Sequence, residues 1–276
     1  MIKQAIIPLA GLGTRLLPLT SVFAKELLPI NGKPGLEYII EECIEAGIKE
    51  IVFIISKKKL MIKKYFYNDK FYKDIIKKKN DPKIIKEYKK ILKYKKMIKF
   101  VFQDKPLGTG DAVYKTKKFI TDKYFLMLLP DDLIIKKNCS KSMIAVHNKF
   151  KASVMASMKV NKNDVSRWGI YNIKKKIDKN NFIINNVVEK PSIKTSPSNN
   201  AVIGRYILPK TIFSKLKSLK PGKSGEFHIT DAIQALIEDD NQFIGHNFSG
   251  KYLDCGTMKG YIKSTLEISK QWNFAW

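Results

Sequence analysis

The sequence predicts an α/β fold: a mostly parallel, mixed sheet with helices on both faces. Three observations carry that prediction. Apolar, β-branched runs alternate with segments of helical period along the first half of the chain. A glycine-rich turn, Ala10-Gly11-Leu12-Gly13-Thr14-Arg15, directly follows the first run. A polar turn, Pro130-Asp131-Asp132, follows another. Ligands of such Rossmann-like sheets sit beyond the carboxyl ends of strands, where both turns fall.

Taken in order, residues 5–9 form the first apolar strand. Leu36, Ile39, Ile40, Cys43 and Ile44 then recur at offsets 0, 3, 4, 7 and 8, one face of a helix that Gly47 caps. Residues 50–55 are a β-branched, buried strand, and 57–96 a lysine-rich helical excursion dotted with aromatics. A strand over 98–102 follows, then a helix face of Ala112, Val113, Thr116 and Ile120, then a strand over 124–129. The second half is less regular. Strands are predicted over 152–160, 169–173, 183–188 and 201–208, with a polar loop over 192–200. Ile229, Ile233, Leu236 and Ile237 share a helix face, and a last helix starts after Asp254-Cys255-Gly256-Thr257. Neither an internal repeat nor a linker interrupts the chain, so residues 1–276 read as one domain with halves at 1–135 and 136–276.

A chain of 276 residues buries a substantial core. No apolar run reaches the roughly 18 residues of a membrane span, and no charged-then-apolar leader opens the chain, which predicts a cytoplasmic protein. Cys43, Cys139 and Cys255 lie far apart without a Cys-x-x-Cys, as expected in a reducing compartment. The net charge of +27 suggests nucleic acid at first sight. Yet all but three of the 52 basic residues, Arg15, Arg167 and Arg205, are lysine, and they are scattered in runs such as Lys57-Lys58-Lys59. Nucleic-acid readers favour the planar fork of arginine. Most of this charge therefore reads as solvated surface, with only salt-sensitive, non-specific polyanion binding expected of it.

The glycine turn suits phosphate, because backbone N–H groups approach a ligand closely where no Cβ intervenes. It is not a Walker A loop, and Leu16 stands where a dinucleotide fingerprint needs its third glycine. Gly222-Lys223-Ser224 echoes a P-loop end, but Lys217 occupies the place of the earlier glycine. Arg15 and Lys25 are candidates to neutralise phosphate charge. Asp131 and Asp254 each directly follow an apolar strand, and two such carboxylates suit Mg²⁺ that also takes phosphate oxygens and water; loop capping by Asp131 or Asp132 is the alternative. Glu189-Lys190 suits a phosphosugar, the acid accepting hydroxyls and the lysine meeting phosphate. A surface ion pair is the alternative there and at Lys25-Glu26. His147, His228 and His246 lack metal-ligand spacing and a nucleophile, and Cys255 lacks a basic partner.

Six motifs occur in an order that resembles the sugar-1-phosphate nucleotidyltransferases. They are Gly11-Leu12-Gly13-Thr14-Arg15, Lys25-Glu26-Leu27-Leu28-Pro29, Leu129-Pro130-Asp131-Asp132, Val188-Glu189-Lys190-Pro191, Gly204-Arg205-Tyr206 and Asp254-Cys255-Gly256. The excursion after Lys57, Leu107-Gly108-Thr109-Gly110-Asp111-Ala112-Val113 and Gly225-Glu226-Phe227-His228-Ile229-Thr230-Asp231-Ala232 resemble the UTP–glucose-1-phosphate uridylyltransferase branch more than the thymidylyl branch. The resemblance implies a nucleotide-diphospho-sugar transferase fold, with a nucleotide-binding first half and a sugar-phosphate-binding second half. It implies that Ala10, Gly11 and Gly13 hold the nucleotide, Arg15 the triphosphate and Lys25 the reacting phosphates. Glu26, Gln103 and Gly108 would contact uracil, and Asp131 and Asp254 would bind Mg²⁺. Gly169, Glu189 and Gly204 would hold glucose, with Lys190 on its phosphate. The implied partners are UTP, glucose 1-phosphate, UDP-glucose and pyrophosphate, with no specific nucleic acid, no membrane, and a homo-oligomer, dimer or tetramer. His228 replaces a common glutamine, and Phe23-Ala24 replaces the proline usual before the lysine. A transferase using dTTP or a different sugar phosphate, a basic nucleic-acid-binding protein and a non-catalytic sugar-nucleotide binder are the rival readings.

Overall fold

Hydrogen bonding along the apolar runs assembles a nine-stranded sheet in this computed structural model. It describes residues 2–222 and 225–270; Lys223 and Ser224 of the P-loop echo lie outside them. The first half supplies β1 (Gln4–Pro8), the short pair β2 (Pro29–Ile30) and β3 (Lys33–Pro34), β4 (Glu50–Ile55), β5 (Ile98–Phe102), β6 (Tyr124–Leu128) and β7 (Asp132–Ile135). The second supplies β8 (Ser153–Lys159), β9 (Gly169–Lys176), β10 (Asn181–Glu189), β11 (Asn200–Pro209), β12 (Phe243–Asn247) and β13 (Lys251–Asp254).

Strands β5, β4, β1 and β6 run parallel, side by side. Antiparallel β11 joins β6 to β8, so the sheet passes unbroken from one half to the other. Strand β12 lies parallel to β8, and β10 and β9 follow antiparallel. Only β10 and β11 run against the other strands of this sheet. Ala201 of β11 also pairs with Ile170 of β9, which brings the β9–β10 hairpin back against β11.

Alternation along each strand sends neighbouring residues to opposite faces. Ala5, Ile7, Ile51, Phe53 and Ile55 enter one core layer, and Ile6, Val52 and Ile54 enter the other. Helices α1 (Gly35–Glu45), α2 (Leu60–Tyr67), α3 (Asp69–Lys79) and α4 (Pro82–Met97) precede α5 (Gly108–Tyr114), α6 (Cys139–Phe150), α7 (Ile212–Ser218), α8 (Ile229–Glu238) and α9 (Met258–Ser269). The first layer is covered by Leu36 and Ile40 of α1, Phe66 of α2, Ile91 of α4 and Met143 of α6. The second is covered by Val113 of α5, Phe213 of α7 and Ile233 of α8. Helix α1 ends as its spacing predicts, with Gly47 at φ +87° donating to the Ile44 carbonyl at 3.0 Å. Helix α4 starts where Asp81 accepts the Lys83 N–H at 2.7 Å and Pro82 takes the first turn.

The helix predicted through Thr116 and Ile120 is shorter than its apolar spacing implied. It ends at Tyr114, and the Thr116 hydroxyl turns back to the Val113 carbonyl at 2.7 Å. A threonine hydroxyl that competes for backbone acceptors favours a turn over another helical residue. Thr116 and Ile120 are buried all the same, so the pattern reported burial rather than helix. Among the described residues no helix is long and apolar enough to cross a membrane.

Candidate active site

The turn after β1 opens into a cleft of about 470 Å³. Ala10, Gly11, Gly13, Lys25, Glu26, Gln103, Gly108 and Asp131, all predicted from the sequence, line it. A Cβ built on Gly11 would meet no protein atom within 4 Å. Protein packing therefore does not require glycine there, and the open space belongs to the cleft.

Charged groups form a chain along one wall. Lys25 Nζ lies 2.8 Å from Asp131 Oδ2, and Arg15 Nη2 reaches the same oxygen at 3.4 Å. The Lys25 and Asp131 side chains keep only 14% and 17% of their exposure, whereas Arg15 keeps 65%. Burial works to lower the Lys25 pKa, but Asp131 and Glu26 outweigh it and hold the ammonium above its ordinary value. Burial likewise works to raise the Asp131 carboxyl, and Lys25 with Arg15 keeps it below the usual range. Behind them Lys59 Nζ donates to both oxygens of Glu26 at 2.8 Å, with both residues buried. Burial moves Glu26 upward and Lys59 downward, each against the pull of its partner.

Lys59 was not legible as a functional neighbour. It closes a lysine run in which Lys57 makes an exposed contact to Asp104 at 3.5 Å, while Lys59 turns inward. Replacing Lys59 by methionine strips the buried Glu26 carboxylate of its hydrogen-bonding cation, and we expect about 3–5 kcal/mol less stability in denaturant unfolding. The Glu26→Gln change added to it should recover much of that loss; a Lys59→Met protein as stable as its parent would refute the assignment.

At the end of the cleft beside α5, Gln103 Nε2 donates to the Gly108 carbonyl at 3.0 Å and to Asp111 Oδ2 at 2.8 Å. Both partners are acceptors, so the amide orientation is fixed and Oε1 is its remaining acceptor. Gly108 sits at φ +92°, and a Cβ there would lie 2.5 Å from the Phe227 carbonyl oxygen. That closeness has a cause. Gly110 N donates to Phe227 O at 2.7 Å, Phe227 N to Leu107 O at 2.8 Å, and Ile229 N to Thr109 Oγ1 across 120 residues of sequence. The two motifs that pointed to the uridylyl branch thus form one docked unit, and it places Glu226 and His228 in the cleft wall. The other histidines are occupied elsewhere: His147 Nδ1 lies 2.8 Å from Ala152 O, and His246 Nδ1 lies 2.8 Å from Asn181 Oδ1.

Strands β7 and β13 bring the two predicted metal carboxylates together. Their antiparallel register sets Asp254 opposite Asp132, and Cys255 N donates to the Asp131 carbonyl at 2.8 Å. A Cβ on Gly256 would lie 2.7 Å from Asp131 Oδ2, 2.8 Å from Arg15 Nη2 and 3.2 Å from Asp254 Oδ1. One small volume, kept free by glycine, is therefore bounded by both carboxylates. Two carboxylates fit Mg²⁺, which is completed by phosphate oxygens and water. Among the described residues no cluster of three or more His, Cys, Asp or Glu adds a fuller cage. Asp254 also faces a neighbouring cavity of about 670 Å³ with Trp168 and Tyr252. Asp132 has a separate part: Tyr252 donates to its Oδ1 at 2.7 Å and Gly204 N to its Oδ2 at 2.8 Å. Burial, then the adjoining Asp131 charge, pushes the Asp132 carboxyl up to about 6.

The predicted sugar-phosphate residues stand outside the cleft wall. Gly169 faces Glu189 across the β9–β10 pairing, where a Cβ would meet Glu189 Oε2 at 3.0 Å. Gly204 packs on the cleft-lining Leu129, with its own N–H already used by Asp132. Lys190 follows β10 in a left-handed conformation, is exposed, and donates its backbone N–H to Trp168 O at 2.9 Å.

The Nucleotidyl transferase family model matches residues 4–271. The chain belongs to this family. Among curated members it is 37% identical to UTP–glucose-1-phosphate uridylyltransferase 2 of Staphylococcus saprophyticus subsp. saprophyticus, over 97% of this chain and 92% of that one. Among solved structures it resembles a UTP-bound UGPase from Acinetobacter baumannii, with a TM-score of 0.90, 30% identity and coverage of 99% and 95%. It also resembles a UDP-glucose pyrophosphorylase solved in complex with UDP-glucose, with a TM-score of 0.86, 33% identity and coverage of 99% and 100%. The family's nucleotidyltransferase fold accounts for the sheet.

Proposed function

We propose that this protein is a uridylyltransferase that converts UTP and glucose 1-phosphate to UDP-glucose and pyrophosphate. The observation that carries the proposal is the meeting of Lys25, Arg15, Asp131 and Asp254 around Gly256, beside the cleft that the glycine turn lines. The attacking group is a phosphate oxygen, ionised at neutral pH, so no general base is needed. What opposes the reaction is the mutual repulsion of two polyanions. Positioning and charge neutralisation then dominate catalysis. Lys25 and Arg15 offset charge on the triphosphate and on the leaving pyrophosphate. Asp131 and Asp254 would hold Mg²⁺, which supplies Lewis-acid polarisation of phosphate oxygens when bound.

Ala10, Gly11 and Gly13 approach the nucleotide through the backbone. Gln103 Oε1 accepts the uracil N3–H, and Gly108 offers an N–H that, at the first position of α5, has no intrahelical acceptor. Glu26 completes that end of the cleft. Gly169, Glu189 and Gly204 hold glucose, with Lys190 on its phosphate. Residues 1–135 are the nucleotide half and 136–276 the sugar-phosphate half of one domain. A cytoplasmic homo-oligomer, dimer or tetramer, without membrane or specific nucleic-acid partners, fits this role.

The test is turnover of purified protein with glucose 1-phosphate, Mg²⁺ and a nucleotide panel. UTP should be used, and CTP rejected by about 10⁴-fold, because cytosine N3 is an acceptor facing the Gln103 acceptor. Thymine keeps the N3–H and adds only a methyl group, so 5-methyl-UTP should be discriminated far less, by about 10–200-fold. Equal use of CTP and UTP would defeat the base assignment, and absence of UDP-glucose the function.

A further inference from the structure

The Gly204-Arg205-Tyr206 motif holds a cation that the proposed reaction leaves without a part. Arg205 is wholly buried. Each of its five N–H donors has an acceptor. Nε donates to Glu42 at 3.1 Å, and Nη2 donates to Glu42 Oε2 at 2.8 Å and to the Asp132 carbonyl at 2.6 Å. Nη1 donates to the carbonyls of Leu129 at 3.1 Å and Gly204 at 3.3 Å. Glu42, on α1, is completed by the Ser140 N–H at 3.1 Å and hydroxyl at 2.5 Å.

A buried ion pair is weak grounds for stability, since a well-packed apolar pair often serves as well. The outer edge of this guanidinium is more informative. It holds the carbonyls of Leu129 and Asp132, which bracket Pro130-Asp131. From the other side Cys255 N holds the Asp131 carbonyl at 2.8 Å, and Gly204 N holds Asp132 Oδ2 at 2.8 Å. The turn carrying the Asp131 carboxylate is thus gripped at three of its carbonyls. A rigid five-donor fork can reach a carboxylate and three carbonyls at once, which the three donors of an ammonium cannot.

We infer that Arg205, anchored by Glu42, is a positioning residue that fixes the Leu129–Asp132 turn and so aims the Asp131 carboxylate. The inference rests on the proposed function for its kinetic consequence, and on geometry alone for its structural one. A misplacement of about 1 Å at a reacting group can cost about 100-fold in rate.

The test uses two variants of the full chain. Arg205→Lys keeps the charge beside Glu42 and loses the fork. The double variant Arg205→Met/Glu42→Gln removes both charges and is expected to fold. In each, kcat should fall about 100-fold while KM for UTP stays within about twofold. Hydrogen exchange should quicken in the peptide spanning residues 129–132 and stay protected in β1 and β4. Parent-like turnover in a folded variant would overturn the inference. So would unchanged exchange at 129–132, or faster exchange spread over the whole sheet with UTP affinity lost. Should the parent protein itself make no UDP-glucose, the proposed function fails, and the local exchange difference still decides the positioning role.

Discussion

Replacing Asp131 by asparagine is expected to lower kcat by about 10³-fold while leaving the fold intact. The substitution keeps the shape of the side chain and the Asp131 carbonyl that receives the Cys255 N–H. What it removes is the carboxylate charge, with one acceptor oxygen replaced by an NH₂ donor. Asp131 Oδ2 is the atom that Lys25 approaches at 2.8 Å and Arg15 at 3.4 Å, and it borders the volume above Gly256 with Asp254 Oδ1. Without it, the two cations lose their shared counter-charge, and a single carboxylate is left at the proposed Mg²⁺ site. Preorganised charges in a water-poor site are worth more than the same charges in water, and they do not reorganise as the reaction proceeds. The loss should therefore appear mainly in kcat. Initial rates across a Mg²⁺ titration check it: the half-saturating concentration should rise in the variant, with thermal unfolding little changed. Superimposable titrations for parent and variant would remove Asp131 from the metal site.

The parts of this molecule legible in the sequence are those decided by local pattern and burial together. Strand β4 occupies residues 50–55 as predicted, because an unbroken β-branched run has no alternative once both of its faces are covered. The helix face from Leu36 to Ile44 is equally local, and Gly47 stops it. The ribbon of β7 and β13 left little trace, since its strands are four residues long and their partners lie about 120 positions apart. That ribbon is nevertheless what joins Asp131 to Asp254. Motif order suggested their meeting, while local pattern could not supply the pairing. Lys59 was hidden because its neighbours share its residue type, and only the local turn decides which lysine faces inward. Arg205 did carry a signal. A lone arginine inside the apolar run 201–208, in a chain that otherwise uses lysine, marks a place where a fork is needed. The separation of Gly169 and Glu189 from the cleft behind the glycine turn was beyond the sequence, because it depends on the β9–β10 hairpin returning to β11.

Lys25→Ala should reduce kcat/KM by about 10³-fold, far beyond its effect on stability. The stability term is limited by where the side chain lies. Its ammonium is buried against Asp131, but the cleft reaches both residues, so water can solvate the carboxylate once the ammonium is gone. Arg15 also remains 3.4 Å from the same oxygen. The catalytic term has no such relief. With UTP and glucose 1-phosphate in place, the cleft holds several negative charges, and among the described residues Lys25 is the cation in its wall that is already fixed before they arrive. Arg15, mostly exposed, must be ordered by the ligand and loses side-chain entropy in doing so. An arginine at position 25 should not restore the rate, because its longer planar fork does not put a compact charge where the Lys25 ammonium meets Asp131 Oδ2 at 2.8 Å. The decisive measurement pairs steady-state kinetics with thermal unfolding on the same preparation. A rate near the parent's would place charge neutralisation elsewhere in the cleft, and a rate loss matched by a collapse of the melting temperature would make Lys25 a structural ion-pair partner instead.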